Sequence, residues 1–393
     1  MKIAIWLEQT KSGGVDTHLG TLLRNWPEVA DQIDIFTNAD NPSIRSYESF
    51  DVPSATKIIL MNRRLAFQKT RMLAETFLLP LYLLWTSHRA RMKLKNVGTF
   101  DVFIADQGGY PGSWSTLGSL RAAKKLGIKK RILLIHHQAA PRRPFLNTLE
   151  AIVDRKVAAW STLIITVSNA TRSTLIDRRD FDLVRRPIRV IHNGLDERVS
   201  HLRGSFRSIL GVTSNLRVVA MVGRVELYKG HEELIRAIAL LPIETRTNLL
   251  LAIVGTVDFS IQEYLTDLAI RLGVNENIRF CGFVDLDSAD IIADVDLLVC
   301  ATQEFEGFGY TVLEAMSVGT PVLATAVGAI QEFCDERFGI IVRPGSIQEM
   351  ADAIDSVFSD SLATLTRATS AKAQSKLFSG NRMAMEMYRE LKY

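Results

Sequence analysis

Short runs rich in valine, isoleucine and leucine alternate with longer segments of helical spacing along almost the whole chain of 393 residues. Runs such as 249–254 and 297–300 are apolar at every position, which is typical of strands buried on both faces. Strands that alternate with helices form parallel sheets covered by helices, so we predict an α/β fold. The predicted strands are 2–7, 33–37, 56–61, 102–106, 131–136, 163–168, 189–192, 217–223, 249–254, 278–283, 297–301, 321–326 and 339–343.

The chain is long enough for two such domains, since a domain commonly spans roughly 100–200 residues. The turn Asn193-Gly194 and the polar stretch that runs to Asn215 interrupt the series of strands and helices. We therefore predict two doubly wound, Rossmann-like domains over 1–195 and 196–375, followed by a C-terminal helix over 376–393.

Composition and motifs argue against several classes of protein. No stretch approaches the ~18 apolar residues of a membrane-spanning helix, and the three cysteines form no CxxC pair. The phosphate-binding patterns GxGxxG and GxxxxGK[ST] do not occur. The run 1–7 is too short for a signal peptide and is predicted to be the first strand. We expect a cytoplasmic protein with no nucleic-acid partner.

Two loops that follow predicted strands of the second domain carry charges suited to a diphosphate. In the first, Arg224 and Lys229 can both reach one diphosphate, although two cations in a loop are commonly just solvated. In the second, Glu306 lies in a glycine-containing turn, and a helix that begins near Thr311 carries Glu314. The N–H groups of the turn then lie at the positive end of this helix. Thr311 and Glu314 also fit a capping box, in which Glu314 has a purely structural role.

The first domain offers fewer candidates for ligand contacts. The pair Gly13-Gly14 follows the first strand and either lets backbone approach a ligand or simply forms a tight turn. His136 and His137 follow the strand that begins at Arg131. We favour His136, the first beyond the strand, whereas a shift of one residue would give His137 instead. The alternative is a plain loop histidine with no ligand contact. Two further polar side chains have open roles, namely Asp106 at a strand end and His18 on the helix after the glycine pair.

Several of these segments occur in order in one known family. Glu306 to Glu314 resembles the E-x7-E pattern of the family 4 retaining glycosyltransferases, and the segment from Glu314 to Val322 resembles the family's E-A-M…G-x-P-V run. Gly223-Arg224…Lys229-Gly230 resembles its G-R…K-G loop. The resemblance covers most of the chain, densely after residue 160 and thinly before. The family's G-G-x-P-E run is altered here to Gly328-Ala329-Ile330-Gln331-Glu332.

The resemblance implies the GT-B architecture, in which an acceptor-binding first domain and a nucleotide-sugar-binding second domain face each other across a cleft. The C-terminal helix would cross back to the first domain. The catalytic groups that the resemblance implies are Glu306, Arg224, Lys229 and His136. Arg224 and Lys229 would bind the donor diphosphate, and Glu314 would bind the ribose. The other implied donor contacts are Gly13, Gly14, Phe283, Val284, Gly307, Phe308, Gly309 and Tyr310.

No metal or other cofactor is expected, because Arg224 and Lys229 would supply the positive charge that a metal supplies in other glycosyltransferases. Two DxD patterns, at 285–287 and 294–296, resemble the metal sites of those enzymes. They fall in a loop and at a helix–strand junction, and we interpret them as structural.

The function implied by the resemblance is that of a retaining, metal-independent hexosyltransferase. Its donor would be a UDP- or GDP-linked sugar, and its acceptor a growing, lipid-linked bacterial surface glycan such as O-antigen, capsule or exopolysaccharide. One alternative is a transferase with a small soluble acceptor. Another is a non-catalytic GT-B protein that binds nucleotide sugars.

Basic side chains concentrate in two stretches, 61–95 with the single acid Glu75 and 121–143 with none. Within the first stretch, the apolar run 77–85 is too short to span a bilayer but fits an interfacial segment on an anionic leaflet. The protein would then associate with the inner face of the plasma membrane. The alternative is an ordinary core helix with basic side chains on its wet face.

Overall fold

A computed structural model of the protein describes residues 1–48, 55–61, 75, 78–183, 186–196, 204–212 and 215–392. The chain forms two compact units. The first consists of Met1–Asp196 together with Gly380–Tyr393, and the second of Glu197–Ser379. Each unit contains one parallel sheet with helices between its strands, so the predicted α/β architecture is confirmed.

Within the described residues, the sheet of the first unit has seven parallel strands: β1 (Lys2–Leu7), β2 (Gln32–Asn38), β3 (Ala55–Met61), β4 (Val102–Gln107), β5 (Lys130–Ile135), β6 (Leu163–Thr166) and β7 (Ile188–Val190). Their order across the sheet is β3-β2-β1-β4-β5-β6-β7. The chain order therefore reverses between β1 and β4, where Ile5 lies opposite Ile104. Ligands of doubly wound sheets bind beyond the carboxyl ends of the strands at such a reversal.

The described part of the second unit has a sheet of six parallel strands: β8 (Arg217–Val222), β9 (Leu249–Val254), β10 (Ile278–Gly282), β11 (Leu297–Cys300), β12 (Val322–Thr325) and β13 (Ile340–Val342). Their order is β10-β9-β8-β11-β12-β13, so the reversal here lies between β8 and β11. Each strand predicted from the sequence is present in one of the two sheets, with its ends within two residues of the prediction.

The helices of the described ranges connect the strands in both units, and the last of them follow β13. They are α1 (Gly14–Arg24), α2 (Ile44–Glu48), α3 (Leu79–Val97), α4 (Trp114–Lys125), α5 (Asn147–Trp160), α6 (Asn169–Arg179), α7 (Ser205–Leu210), α8 (His231–Leu240), α9 (Ile243–Arg246), α10 (Phe259–Arg271), α11 (Ser288–Ala293), α12 (Tyr310–Val318), α13 (Ile347–Ser359), α14 (Ser361–Ser375) and α15 (Gly380–Lys392). None of the helices in the described ranges is both long and apolar enough to cross a membrane.

Apolar side chains cover both faces of each sheet, as the continuous apolar runs predict. In the first unit, Trp6 and Phe103 belong to one apolar layer, whereas Ile5 and Ile104 belong to the other. This arrangement follows from the alternation of side chains along a strand. The second sheet has the same two-sided cover, with Val219 on one side and Val218 on the other.

The last helix, α15, contributes to the core of the first unit. It packs against α1, and Met383 and Met387 are fully buried in the layer that contains Ile5. The guanidinium of Arg382 donates to the carbonyl oxygens of His192 and Asn193, at 2.6 and 3.0 Å. The first unit is therefore built from two separate segments of the chain.

Candidate functional site

Two loops at the strand-order reversal of the second sheet carry three of the four predicted catalytic residues, Arg224, Lys229 and Glu306. The β8 loop (223–230) and the β11 loop (301–309) follow the carboxyl ends of neighbouring strands. The backbone N–H of Gln303 donates to the carbonyl oxygen of Tyr228 at 2.8 Å and so joins the two loops. Gly230 allows this close approach, because it has a φ of +83° and a Cβ there would lie 1.9 Å from the carbonyl oxygen of Ala301.

An ion pair connects the two loops. The ammonium of Lys229 lies 2.7 Å from Oε2 of Glu306, and the hydroxyl of Thr302 donates to the same oxygen at 3.2 Å. Burial is the largest single influence and lowers the pKa of Lys229, but the charge and hydrogen bond of Glu306 together with the charges of Cys300 and Tyr228 outweigh it, so that the pKa is raised. Lys229 is therefore a fixed positive charge at neutral pH, held by one of the predicted acidic residues.

Arg224 lies at the start of the β8 loop and also has a carboxylate partner. Its Nη1 donates to Oε1 of Glu226 at 2.8 Å, and the two side chains are 38% and 21% exposed. Glu226 was not predicted from the sequence as a site residue. The pairing could have been predicted, however, because residues two apart in an extended segment, as Arg224 and Glu226 are, project to the same side.

Glu314 is buried on α12, more than one turn beyond the start of the helix. The helix begins at Tyr310 and its N-cap is Gly309, whose φ is 97°. The capping box of Thr311 and Glu314 is therefore not formed, and the predicted helix start was one residue late. Backbone N–H groups of the first turn lack partners within any helix, and they lie here beside the β11 loop.

The side chain of Phe308 is buried in an aromatic cluster. Its ring stacks on Phe333 with centroids 4.9 Å apart, and Phe378 contacts both rings. Because the ring faces the interior, any ligand contact at this position must come from the backbone. Phe333 and Phe378 were not predicted from the sequence, because they are 25 or more residues away from Phe308 along the chain.

Gly328 supports the backbone of Glu306. Its φ is +57°, and a Cβ there would lie 2.0 Å from the carbonyl oxygen of Glu306. The same carbonyl accepts the N–H of Ala329 at 2.9 Å. The altered run 328–332 thus keeps a glycine at the position where the Glu306 backbone leaves no room for a side chain.

Phe283 and Val284 follow β10 at the edge of the second sheet. The ring of Phe283 is 76% exposed, whereas Val284 is half-buried against an apolar cluster that includes Phe206. Phe283 therefore offers an accessible aromatic face.

In the first unit, His136 lies at the carboxyl end of β5 in a buried polar cluster. Its Nε2 is 2.8 Å from Oδ1 of Asp106, at the end of β4, and its ring meets that of His18 edge-on with centroids 4.6 Å apart. Nδ1 of His18 lies 2.9 Å from Oδ1 of Asn193. Burial, and then the charge of His136, lower the pKa of His18 to about 3, which keeps His18 neutral. His137 is half-buried beside this cluster.

Each histidine of this cluster keeps one buried ring nitrogen, Nε2 of His18 and Nδ1 of His136, that has no hydrogen-bond partner within the described ranges. The orientation of His18, which the sequence left open, is thus inward and toward His136.

Gly13 and Gly14 form the start of α1 at an exposed position. The N–H of Gly13 donates to Oδ2 of Asp16 at 2.7 Å, so this carboxylate caps the helix. The φ of Gly13 is 170°, an extended conformation that any residue adopts. The conformation of Gly13 therefore does not itself require glycine.

Part of the basic stretch 121–143 is neutralised within the first unit. Arg142 lies 2.9 Å from Asp154, Arg143 pairs with Glu150, and the buried Arg179 lies 2.8 Å from Glu150. Glu150 and Asp154 are four residues apart on α5, so both carboxylates face the same side of that helix. These arginines fix the segment after β5 and do not form an open basic surface.

Helix α3 has one buried and one exposed apolar side. Leu79, Leu83 and Leu94 lie in the core, whereas the exposed side carries Leu81 and Trp85, 62% and 52% exposed. The guanidinium of Arg89 lies 4.7 Å from the centre of the Trp85 ring. Arg91 and Lys95 are exposed as well. Arg63, Arg64, Lys69 and Arg71 of the predicted basic cluster, and Phe77 of the predicted apolar run, fall outside the described residues.

Three of the four aspartates of the two DxD patterns accept hydrogen bonds within the second unit. Asp287 accepts the N–H of Ala289, Asp294 accepts that of Phe206, and Asp296 pairs with Arg207 at 2.6 Å. In the part of the chain that the structure describes, no group of three or more His, Cys, Asp or Glu residues is arranged to hold a metal ion.

Sequence comparisons match both units to known families. Residues 12–199 match the family described as "Glycosyltransferase Family 4", and residues 203–376 match "Glycosyl transferases group 1". An uncharacterized glycosyltransferase of Methanocaldococcus jannaschii is 33% identical over 51% of this chain and 52% of its own length. A D-inositol 3-phosphate glycosyltransferase of a Nocardioides species is 28% identical over 61% and 56%. The chain spans about half the length of these curated relatives.

Solved structures share the fold over the whole chain. HepE of Anabaena, crystallised with UDP, superimposes with a TM-score of 0.75 at 24% identity and covers 100% of both chains. A glycosyltransferase of Rickettsia africae has a TM-score of 0.78 at 19% identity, with 100% of this chain and 98% of that one covered. At these identities the likeness establishes the fold.

Proposed function

The chain belongs to the family 4 glycosyltransferases, and we propose that it transfers a sugar from a UDP- or GDP-linked donor to a lipid-linked glycan with retention of anomeric configuration. The observation that carries the proposal is the joining of the β8 and β11 loops. Lys229 and Arg224 lie at the reversal of the second sheet, where doubly wound folds bind ligands, and Lys229 contacts Glu306. HepE binds UDP and UDP-glucose, which favours UDP as the first donor nucleotide to test.

Stabilisation of the leaving diphosphate is the main catalytic task in this proposal. As the sugar departs, negative charge grows on the phosphate, and charges that are already in place stabilise it most. Arg224 offers a planar fork and Lys229 a point charge, and the N–H groups of Gly307, Phe308, Gly309 and Tyr310 add the positive end of α12. We expect no metal requirement, because these groups supply the charge.

Glu306 serves to position the sugar and not as a covalent nucleophile. Its carboxylate is held by Lys229 and Thr302, which suits a fixed hydrogen-bond acceptor for sugar hydroxyls. Departure of the phosphate and attack by the acceptor would occur on the same face of the sugar, and a phosphate oxygen would take the acceptor proton. That route retains configuration.

The remaining predicted residues take donor contacts in this proposal. Glu314 binds the ribose, and Phe283 and Val284 border the base. In the first unit, Gly13 and Gly14 approach the phosphates with their backbone. His136 contacts the sugar, supported by its ring nitrogen Nδ1, which has no hydrogen-bond partner among the described residues.

A lipid-linked acceptor is supported by the exposed side of α3. Leu81 and Trp85 are accessible next to Arg89 and Arg91, and such a mixture of apolar and cationic side chains suits the surface of an anionic leaflet. A bacterial surface glycan as the product rests on the family resemblance. The alternative of a small soluble acceptor is favoured by the D-inositol 3-phosphate glycosyltransferases among the relatives.

The test is a panel of UDP-, GDP- and ADP-sugars, measured for binding and for slow hydrolysis by the purified full chain. A bound and slowly hydrolysed donor supports a transferase, whereas tight binding without turnover on any acceptor identifies a non-catalytic protein. Membrane extracts and inositol phosphates then serve as competing acceptors. A product of inverted configuration, seen by NMR, would refute the mechanism.

A further inference from the structure

Glu226 lies beside Arg224 because of the shape of the β8 loop. Val225 is buried and forms an isolated bridge with Val257, so the residues on either side of it project together in the opposite direction. The backbone of Glu226 is also fixed, since its carbonyl oxygen accepts the N–H of Lys229 at 2.9 Å and lies 3.3 Å from Nδ1 of His231. The carboxylate therefore stays within reach of Arg224.

The ion pair of Arg224 and Glu226 can open at a small cost in free energy, so that another anion can replace the carboxylate. Both side chains are partly exposed, so water can solvate each charge when the contact opens. The hydroxyl of Tyr228 also hydrogen-bonds to Glu226 and remains as a donor when Arg224 leaves. By contrast, Glu306 is held by both Lys229 and Thr302.

We propose that Glu226 is an exchangeable counterion of Arg224 that weakens the binding of the nucleoside diphosphate product and speeds its release. The proposal rests on the proposed function, in which Arg224 binds the donor diphosphate. Donor and product must displace the Glu226 carboxylate from the guanidinium, and the carboxylate returns when the product leaves. Glu226 is thus a positioning residue that acts through Arg224.

The experiment compares UDP and GDP binding to the full-length wild type and to Glu226→Gln, with the dissociation rate measured by stopped flow. We expect roughly two- to fivefold tighter binding and slower dissociation for Glu226→Gln, the range that corresponds to an exposed ion pair. Glu226→Asp should stay close to wild type because it keeps the carboxylate. The matched control is Glu232→Gln, which removes a carboxylate paired with Arg236 on α8 and should leave binding unchanged.

Equal or weaker binding by Glu226→Gln, with unchanged thermal stability, would overturn the inference, because Glu226 would then only hold Arg224 in place. Arg224→Ala separates this failure from that of the proposed function. If the wild type binds neither nucleotide, or Arg224→Ala binds as well as wild type, the donor site itself is wrong and both proposals fail. If Arg224→Ala weakens binding while Glu226→Gln does not tighten it, only the counterion role is lost.

Discussion

Replacement of Gly328 by alanine should disable the candidate site although it replaces no charged residue. The added Cβ would lie 2.0 Å from the carbonyl oxygen of Glu306, whereas a close carbon–oxygen contact is about 3.3 Å. One of the two backbone segments must therefore move by roughly 1.3 Å. A displacement of about 1 Å at reacting groups costs on the order of 100-fold in rate.

The stability cost has two parts that a control can separate. Alanine at a φ of +57° costs about 1–2 kcal/mol of backbone strain, and the contact with Glu306 adds about 1–3 kcal/mol of overpacking. Gly273 has a φ of +70° in the same unit, and a Cβ there would meet nothing within 4 Å. Gly273→Ala should therefore lose only the stability that corresponds to the backbone strain, about 1–2 kcal/mol.

The assay is denaturant unfolding together with donor hydrolysis for both variants. Gly328→Ala should be less stable than Gly273→Ala and nearly inactive, whereas Gly273→Ala should keep its turnover. Equal stability and equal turnover in the two variants would show that the backbone of Glu306 tolerates the shift. The assignment of Glu306 as a group whose position determines the rate would then fail.

Four further outcomes are expected. Lys229→Ala should lose at least about 2 kcal/mol of transition-state stabilisation, measured as kcat/KM, and an unchanged value would contradict its role at the diphosphate. Activity should survive EDTA; a loss that Mn²⁺ restores would count against a site without metal. Burial lowers the pKa of His231 to about 4, so the folded state binds fewer protons than the unfolded state below pH 6.5. His231 should therefore contribute on the order of 2–3 kcal/mol to the loss of stability between pH 6.5 and 4. Urea unfolding of His231→Gln should show a fall smaller by about that amount, and an identical pH dependence would argue against this assignment. The protein should bind anionic vesicles in a salt-sensitive way and neutral vesicles poorly, and replacing Arg89 and Arg91 by Gln, or Trp85 by Ser, should weaken the binding. If sedimentation with both vesicle types is equal and negligible, α3 is an ordinary core helix.

The fold could be predicted from the sequence because its signals are local. Runs such as 249–254 are apolar throughout, and a parallel sheet with helices on both faces is the structure that buries them. The ordered motifs around Arg224 and Glu306 likewise lie within short segments. Their placement on loops at the carboxyl ends of β8 and β11 follows from the topology of a doubly wound sheet.

What the sequence did not reveal depends on contacts between distant segments. Nothing near Gly328 indicates that it touches the backbone of Glu306, 22 residues earlier. The stretch 121–143 looks uniformly basic because the carboxylates that pair with Arg142 and Arg143 lie later, on α5. The start of α12 was set by the backbone conformation of Gly309, for which Thr311 and Glu314 gave a misleading signal.

The position of α15 affects how the protein is made on the ribosome. The layer around Ile5 is completed by Met383 and Met387, which are synthesised only after the whole of the second unit. The second unit is a continuous segment and can fold as it emerges, whereas the first unit exposes apolar surface until α15 arrives. The nascent first unit should therefore be the part of the chain that needs chaperones, and a ribosome stalled before residue 380 should present it in a protease-sensitive form.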